Sequence, residues 1–230
     1  MTRHAAQTLL IDADDTLWEN NVYFERVIEA AQEMLESYGV DRAVFRACLD
    51  DLERRHIAVD GYGTLNFTRS LVAAFERFLP PGADPELSGK VEALALGILE
   101  HPIELLEGVP ETLAYLALRH RLYLITKGDL VEQSRKIEAS RLASYFAGIE
   151  ILGEKHPESY RALVDRHSWD ARRTWMIGNS VRSDINPALS AGLNAVFIPQ
   201  PHTWVLERED PAHPSRVLEI ECFSDLRRHF

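Results

Sequence analysis

From Pro110 onward the chain alternates short apolar runs with helical stretches. "RLYLIT" (121–126), "GIEIL" (148–152), "TWMIG" (174–178) and "NAVFIP" (194–199) read as strands, and "RVLEIE" (216–221) as one more. Helices are predicted from about residue 129, from about 157 and near 184–191. Residues 7–13 supply the first strand. Strands joined through crossover helices pair in parallel, and helices then cover both faces of the sheet. The expected fold class is α/β.

The stretch from 20 to 105 breaks this alternation, because every periodic segment in it is helical. Val27, Ile28, Ala31, Met34 and Leu35 recur at helical spacing, and Gly39 ends that helix. Asp41 reads as the N-cap of a helix carrying Val44, Phe45, Cys48, Leu49 and Leu52. Phe67, Leu71, Val72, Phe75 and Phe78 make a third apolar face, closed by "PPG", and residues 86–99 a fourth. The block is an all-helical insertion. The expected division is a core of residues 1–18 and 106–230 with an inserted domain at 19–105.

Composition narrows the function classes. The chain has 230 residues, 46% of them hydrophobic, enough for a sizeable core. A net charge of −11 argues against nucleic acid or an anionic membrane as partner, while leaving room for a small anion in a locally basic pocket. Cys48 and Cys222 form no CxxC and have no histidine at zinc spacing. The start "MTRHAAQT" lacks the apolar core of a signal peptide, and no run of about 18 apolar residues suggests a span. A cytoplasmic protein is expected.

The segment "LLIDADDTLW" (9–18) sets Asp12, Asp14 and Asp15 directly behind an apolar run. Crowded carboxylates repel one another and make a poor strand unless something cationic offsets them. In a parallel sheet, ligands bind outside the carboxyl ends of the strands. The polar residues that end each strand therefore converge: Asp12 and Asp14, then Thr126 with Lys127, Gly128 and Asp129, then Lys155, then Asn179, Ser180, Ser183 and Asp184. Carboxylates with an amide oxygen suit a hard cation such as Mg²⁺, and a hydroxyl, a lysine and helix starts suit a phosphate.

This order of residues resembles the haloacid dehalogenase superfamily of phosphohydrolases. The family's DxDxT motif matches "DADDT" at 12–16, its strand-end Thr or Ser matches Thr126, and its Lys ahead of a helix matches Lys155. Its last motif, usually GDxxxxD, stands here as "GNSVRSD" at 178–184. The resemblance implies a Rossmann-like core whose helical insertion is a cap placed just after the first motif. It implies a phosphatase for a small phosphate ester, working through an aspartyl-phosphate. Asp12 would be the nucleophile, and Asp14 the acid that protonates the leaving alcohol and the base that activates water. Thr126 and Lys155 would hold phosphoryl oxygens. Asp12, the main-chain carbonyl of Asp14, and Asp184 would hold Mg²⁺. Two positions depart from the pattern. Asn179 replaces an acid, keeping an oxygen ligand but removing a charge; Lys127 stands where Asn is frequent and adds positive charge beside the phosphate site.

Plainer readings exist for each residue. Asp12 and Asp14 fit a helix cap or a solvated turn, Lys155 a surface loop, and Asp184 the acid of a helix start. Asp15 is read as outward-facing or structural. "DGYGTLNF" (60–67) is either a substrate-contacting loop or a plain connector, and His202 and Trp204 in "PQPHTW" are read as structural. Two other functions compete. A haloacid dehalogenase uses the same nucleophile on carbon, without Mg²⁺ and without the second Asp. A catalytically weak phosphate sensor would fit the loss of charge at Asn179.

Overall fold

Leu9, Leu10 and Ile11 are fully buried and form β1 (Thr8–Ile11) at the centre of a six-stranded sheet. The structure, a computed structural model, describes residues 6–230. The other strands are β2 (Arg121–Lys127), β3 (Gly148–Leu152), β4 (Thr174–Gly178), β5 (Asn194–Phe197) and β6 (Val217–Glu219), in the order β3-β2-β1-β4-β5-β6. Every pairing is parallel. Ile11 stands opposite Leu124 on one side and Ile177 on the other. The strand order reverses between β1 and β4, so a crevice opens at their carboxyl ends. This is the expected Rossmann-like α/β sheet.

Side chains of β1 alternate between two cores, as a period of two requires. Leu9 and Ile11 pack with Val109, Leu113 and Leu116 of α5 (Val109–Ala117) and with Ile137 of α6 (Leu130–Ser140). Leu10 packs on the other face with Tyr160 and Leu163 of α7 (Pro157–His167) and Ala188 of α8 (Asn186–Ser190). Three strands are shorter than their apolar runs, ending at Ile11, Phe197 and Glu219. The helix expected near 184–191 begins instead with a π-helical turn, Val181–Ile185, before α8. Such turns recur at functional sites because they redirect one side chain.

The chain divides into two compact units: the segment ending at Glu19 with Ile103–Phe230, and Asn20–Pro102. The second holds α1 (Asn21–Glu36), α2 (Arg42–Asp60), α3 (Thr64–Phe78) and α4 (Glu86–Gly97). Its own core includes Ile28, Leu35, Phe45, Leu49, Leu71 and Phe75. Asp41 caps α2 by accepting the Val44 N–H at 3.0 Å. The segment 60–67 reduces to a three-residue turn, Gly61–Gly63, between α2 and α3, with φ of 78° and 133° at its two glycines. Side-chain-bearing residues adopt such angles poorly, which accounts for the paired glycines. Among the described residues, no helix is long and apolar enough to cross a membrane. Both cysteines carry free thiols.

Candidate active site

Asp12 is the first residue beyond β1, and its N–H still donates to the Ile177 carbonyl at 2.9 Å. That bond fixes the carboxylate at the crevice between β1 and β4. Lys155 lies between β3 and α7, and Asp184 on the π-helical turn after β4. The Lys155 ammonium joins them, 2.5 Å from Asp12 Oδ1 and 2.7 Å from Asp184 Oδ1. Asp184 Oδ2 accepts the Ser180 N–H at 3.0 Å, tying the acid to its own turn. Gly178 makes this fold-back possible, since a Cβ there would stand 2.2 Å from Asp184 Oδ2. The Thr16 hydroxyl lies 3.1 Å from Asp12 Oδ2 and 3.4 Å from Asn179 Oδ1, linking the turn after β1 to the turn after β4.

All three ionisable groups are buried, with Lys155 and Asp184 only 2% and 1% exposed. Burial pushes the Asp12 carboxyl up to about 7, opposed by Lys155 and reinforced by Asp184. Burial also works against the Lys155 charge, but Asp12 and Asp184 outweigh it and hold the ammonium protonated well beyond its ordinary range. Two buried carboxylates thus share one ammonium, and with Asp12 ionised the cluster has one negative charge more than it has positive. Asp12 Oδ2 and Asn179 Oδ1, both accepting from the Thr16 hydroxyl, add two more oxygens beside it. Among the described residues no three His, Cys, Asp or Glu side chains form a ready metal cluster. An oxygen set with surplus negative charge nevertheless fits a hard divalent cation that keeps several waters.

Asp14 points into a different setting. Its Oδ1 accepts the Trp18 indole N–H at 2.7 Å and its Oδ2 the Gln133 amide at 2.8 Å. The Lys136 ammonium is 3.1 Å from both oxygens. Gln133 also accepts from the Thr126 hydroxyl at 3.3 Å, so one buried amide connects Thr126 to Asp14. Gly128 leaves room for it, as a Cβ would lie 3.0 Å from Gln133 Nε2.

Two expectations change. Lys127, expected beside phosphate, has its ammonium 2.5 Å from Glu207, 2.8 Å from Ser183 and 3.3 Å from Glu154. The strand continues one residue past Thr126, so alternation turns Lys127 to the opposite face from Thr126. Asp15 is buried rather than outward-facing, on a turn with φ of 58°, where its N–H donates to the Trp18 carbonyl. It stays within the structural reading.

Gln133, Lys136 and Glu207 escaped the sequence reading. The first two follow the strand-end Thr126 at a three-residue interval on one helix, a spacing that shares a face. Glu207 ends a short turn, Val205–Glu207, just past His202 and Trp204, and also accepts the Ser180 and Ser183 hydroxyls, each at 2.5 Å. No pattern in that segment marks it.

Comparison with known proteins places the fold in a family. A family model described as haloacid dehalogenase-like hydrolase matches residues 6–192. A solved haloacid dehalogenase-like hydrolase from Xanthomonas campestris is 31% identical, with a TM-score of 0.82, covering 100% of this chain and 92% of that one. An L-2-haloacid dehalogenase from Xanthobacter autotrophicus shares the fold, with a TM-score of 0.66 at 14% identity and 97% coverage of each chain. The N-acylneuraminate-9-phosphatase of Mus musculus is 36% identical over 102 residues, which is 42% of this chain and 41% of that protein. The match therefore spans less than half the length of that relative. With the family model covering most of the chain and the strand-end residues assembled as described, the protein belongs to the haloacid dehalogenase-like hydrolases.

Proposed function

We propose that the chain is a phosphomonoesterase acting on a small phosphorylated metabolite through an aspartyl-phosphate on Asp12. The observation that carries this reading is the second carboxylate, Asp14, held by three donors two residues from the buried Asp12. Displacing an alkoxide from phosphorus requires a proton for the leaving oxygen, and hydrolysing the acyl phosphate requires a base for water. Displacing a halide from carbon does not require the leaving-group proton. The named phosphatase relative supports the same choice within the family.

In this reading one Asp12 oxygen attacks phosphorus as the ester bond breaks, and Asp14, which enters this step protonated, gives that proton to the departing alcohol. Asp14 then takes a proton from the water that cleaves the Asp12 acyl phosphate, releasing phosphate and restoring both side chains. Lys155 offsets the repulsion between the Asp12 carboxylate and the anionic ester, and with Thr126 it holds phosphoryl oxygens. Asp12, Asp184, Asn179 and the Asp14 carbonyl are the groups that would hold Mg²⁺. When bound, that ion would supply charge stabilisation for the phosphoryl oxygens. The Asn20–Pro102 unit serves as the cap that selects substrate, and Lys127 as an anchor of the Glu207 loop.

The test is a pair of assays: p-nitrophenyl phosphate with and without Mg²⁺, and chloride release from 2-chloropropionate. Phosphate release that depends on Mg²⁺ is expected. Chloride release without metal would overturn the reading in favour of a dehalogenase, and silence in both would favour a phosphate sensor. A metabolite panel should then include sugar-acid phosphates, given what the named relative's name says it hydrolyses.

A further inference from the structure

The environment of Asp14 includes two residues that lie outside all four motifs. Lys136 and Gln133 project from one face of α6, one turn apart, and both reach Asp14. Lys136 is largely buried, its side chain 12% exposed, and it also lies 3.6 Å from Glu132 on the same helix. With the ammonium equidistant from both oxygens and the amide and indole on either side, the carboxylate has its position along χ1 and its plane fixed together. A carboxylate on a turn without such partners would sample several rotamers, and a general acid–base residue must reach its proton to within hydrogen-bond distance.

We propose that Lys136, assisted by Gln133, is a positioning residue that holds Asp14 in the one orientation its proton transfers require. This rests on the phosphomonoesterase reading for its kinetic consequence, but not for its structural one. Lys136 meets Asp14 and acts through it, whereas in the phosphomonoesterase reading Lys155 is the lysine that holds the phosphoryl group. The geometry also gives α6 a task in linking the strand-end Thr126 to the turn of the first motif: Gln133 accepts from Thr126 and donates to Asp14 with one amide.

The experiment compares Lys136→Met, Lys136→Arg and Asp14→Asn with the double variant Asp14→Asn/Lys136→Met. A displaced catalytic group can cost about 10²-fold, so Lys136→Met should lower kcat on an alkyl phosphate about 10- to 100-fold while KM changes little. Single-turnover phosphoenzyme formation from p-nitrophenyl phosphate, whose leaving group departs without a proton, should fall far less. In the Asp14→Asn background the Lys136→Met change should have no further effect, and Lys136→Arg should recover part of the loss. A rise in KM with kcat unchanged, or an equal loss in the Asp14→Asn background, would show Lys136 acting on substrate directly and overturn the proposal. A second readout does not depend on turnover. The chain has four tryptophans, and the indole N–H of Trp18 bonds Asp14, so its ¹⁵N–¹H resonance, assigned with Trp18→Phe, reports where Asp14 sits. Lys136→Met should move that resonance and leave the other three in place. If it stays put, Lys136 does not position Asp14, whatever the enzyme's reaction proves to be. A protein inactive on every phosphate ester but with the resonance moved would instead remove the phosphatase reading and leave the positioning intact.

Discussion

Asp12 and Asp14 sit two residues apart on one turn and occupy opposite electrostatic settings. Asp12 is buried and divides a single ammonium with Asp184. Asp14 is partly exposed, with an ammonium, an amide and an indole directed at it. The first setting is short of positive charge and the second is not. A buried cluster with surplus negative charge favours whatever cation or proton can reach it; a carboxylate matched by its own donors is held still. One turn thus carries a group whose charge is kept in tension and a group whose position is kept fixed, the division of labour that the proposed nucleophile and acid–base residue would need.

The largest effect that separates the two is loss of Asp12, the proposed nucleophile. Asp12→Asn should cut turnover of p-nitrophenyl phosphate by on the order of 10⁶, as removing a nucleophile does in other covalent enzymes. Asp14→Asn should lose about 10²–10⁴ on alkyl phosphates and less in phosphoenzyme formation from the aryl ester. Thermal melts matched to wild type would show that both variants are folded. Substantial turnover by folded Asp12→Asn protein would break the comparison at its root.

The two lysines should separate as well, in stability rather than rate. Lys155→Met leaves two buried carboxylates facing each other and should cost about 3–5 kcal/mol in urea unfolding of the metal-free protein. Lys136→Met removes a partner from a carboxylate that water reaches, and should cost about 1 kcal/mol or less. Equal costs would mean that burial does not distinguish the two pairs.

Asp12, Thr126 and Lys155 could be placed at the sheet from the sequence for one reason: each lies at or within three residues of a strand's carboxyl end, and in a parallel sheet the strand fixes where those residues emerge. Asp14 and Asp184 stand further along the turns that follow β1 and β4. Lys136 and Gln133 could not be placed, because their placement depends on the rotational phase of α6 relative to the turn at Asp14, which no strand end specifies. Glu207 reaches Lys127 from an irregular loop, so its role depends on a long-range closure. Lys127 was expected beside phosphate; in the structure its ammonium meets Glu207, Ser183 and Glu154, partners that sequence spacing does not specify.

The charge shortage at Asp12 also sets a pH dependence. Its carboxyl is pushed up to about 7 by burial, above the 3.8 of an unperturbed aspartate. The folded metal-free chain therefore holds a proton between those values that the unfolded chain has lost. The stability this contributes is fully present below the unfolded value and is lost as pH rises through about 7, at up to about 1.4 kcal/mol per pH unit. Chelator-treated protein should melt at a lower temperature at pH 8 than at pH 6, and Mg²⁺ should reverse that loss. Protons and the cation would then compete for Asp12, so Mg²⁺ affinity should fall up to about tenfold per pH unit below 7. A melting temperature that rises from pH 6 to pH 8 in chelator would place the surplus charge elsewhere.

The smallest effect is the most specific to this chain. Asn179 stands where the family usually has an acid, and its Oδ1 is one hydroxyl away from Asp12 Oδ2 through Thr16. Asn179→Asp would add a second unmatched negative charge to a cluster that already has one. In the metal-free protein that raises repulsion around Asp12, while with Mg²⁺ bound the added carboxylate faces a cation. The difference is on the order of 1 kcal/mol in a partly solvated site, or about five-fold in affinity. Half-saturation of phosphatase activity should therefore move to about five-fold lower Mg²⁺ in Asn179→Asp, and to much higher Mg²⁺ in Asp184→Asn. The metal-free Asn179→Asp protein should at the same time melt lower than wild type at pH 8. An unmoved Mg²⁺ curve with a lowered metal-free melting temperature would mean that Asn179 senses Asp12 but not the cation, leaving it the task of joining, through Thr16, the loop before Asp184 to the first turn.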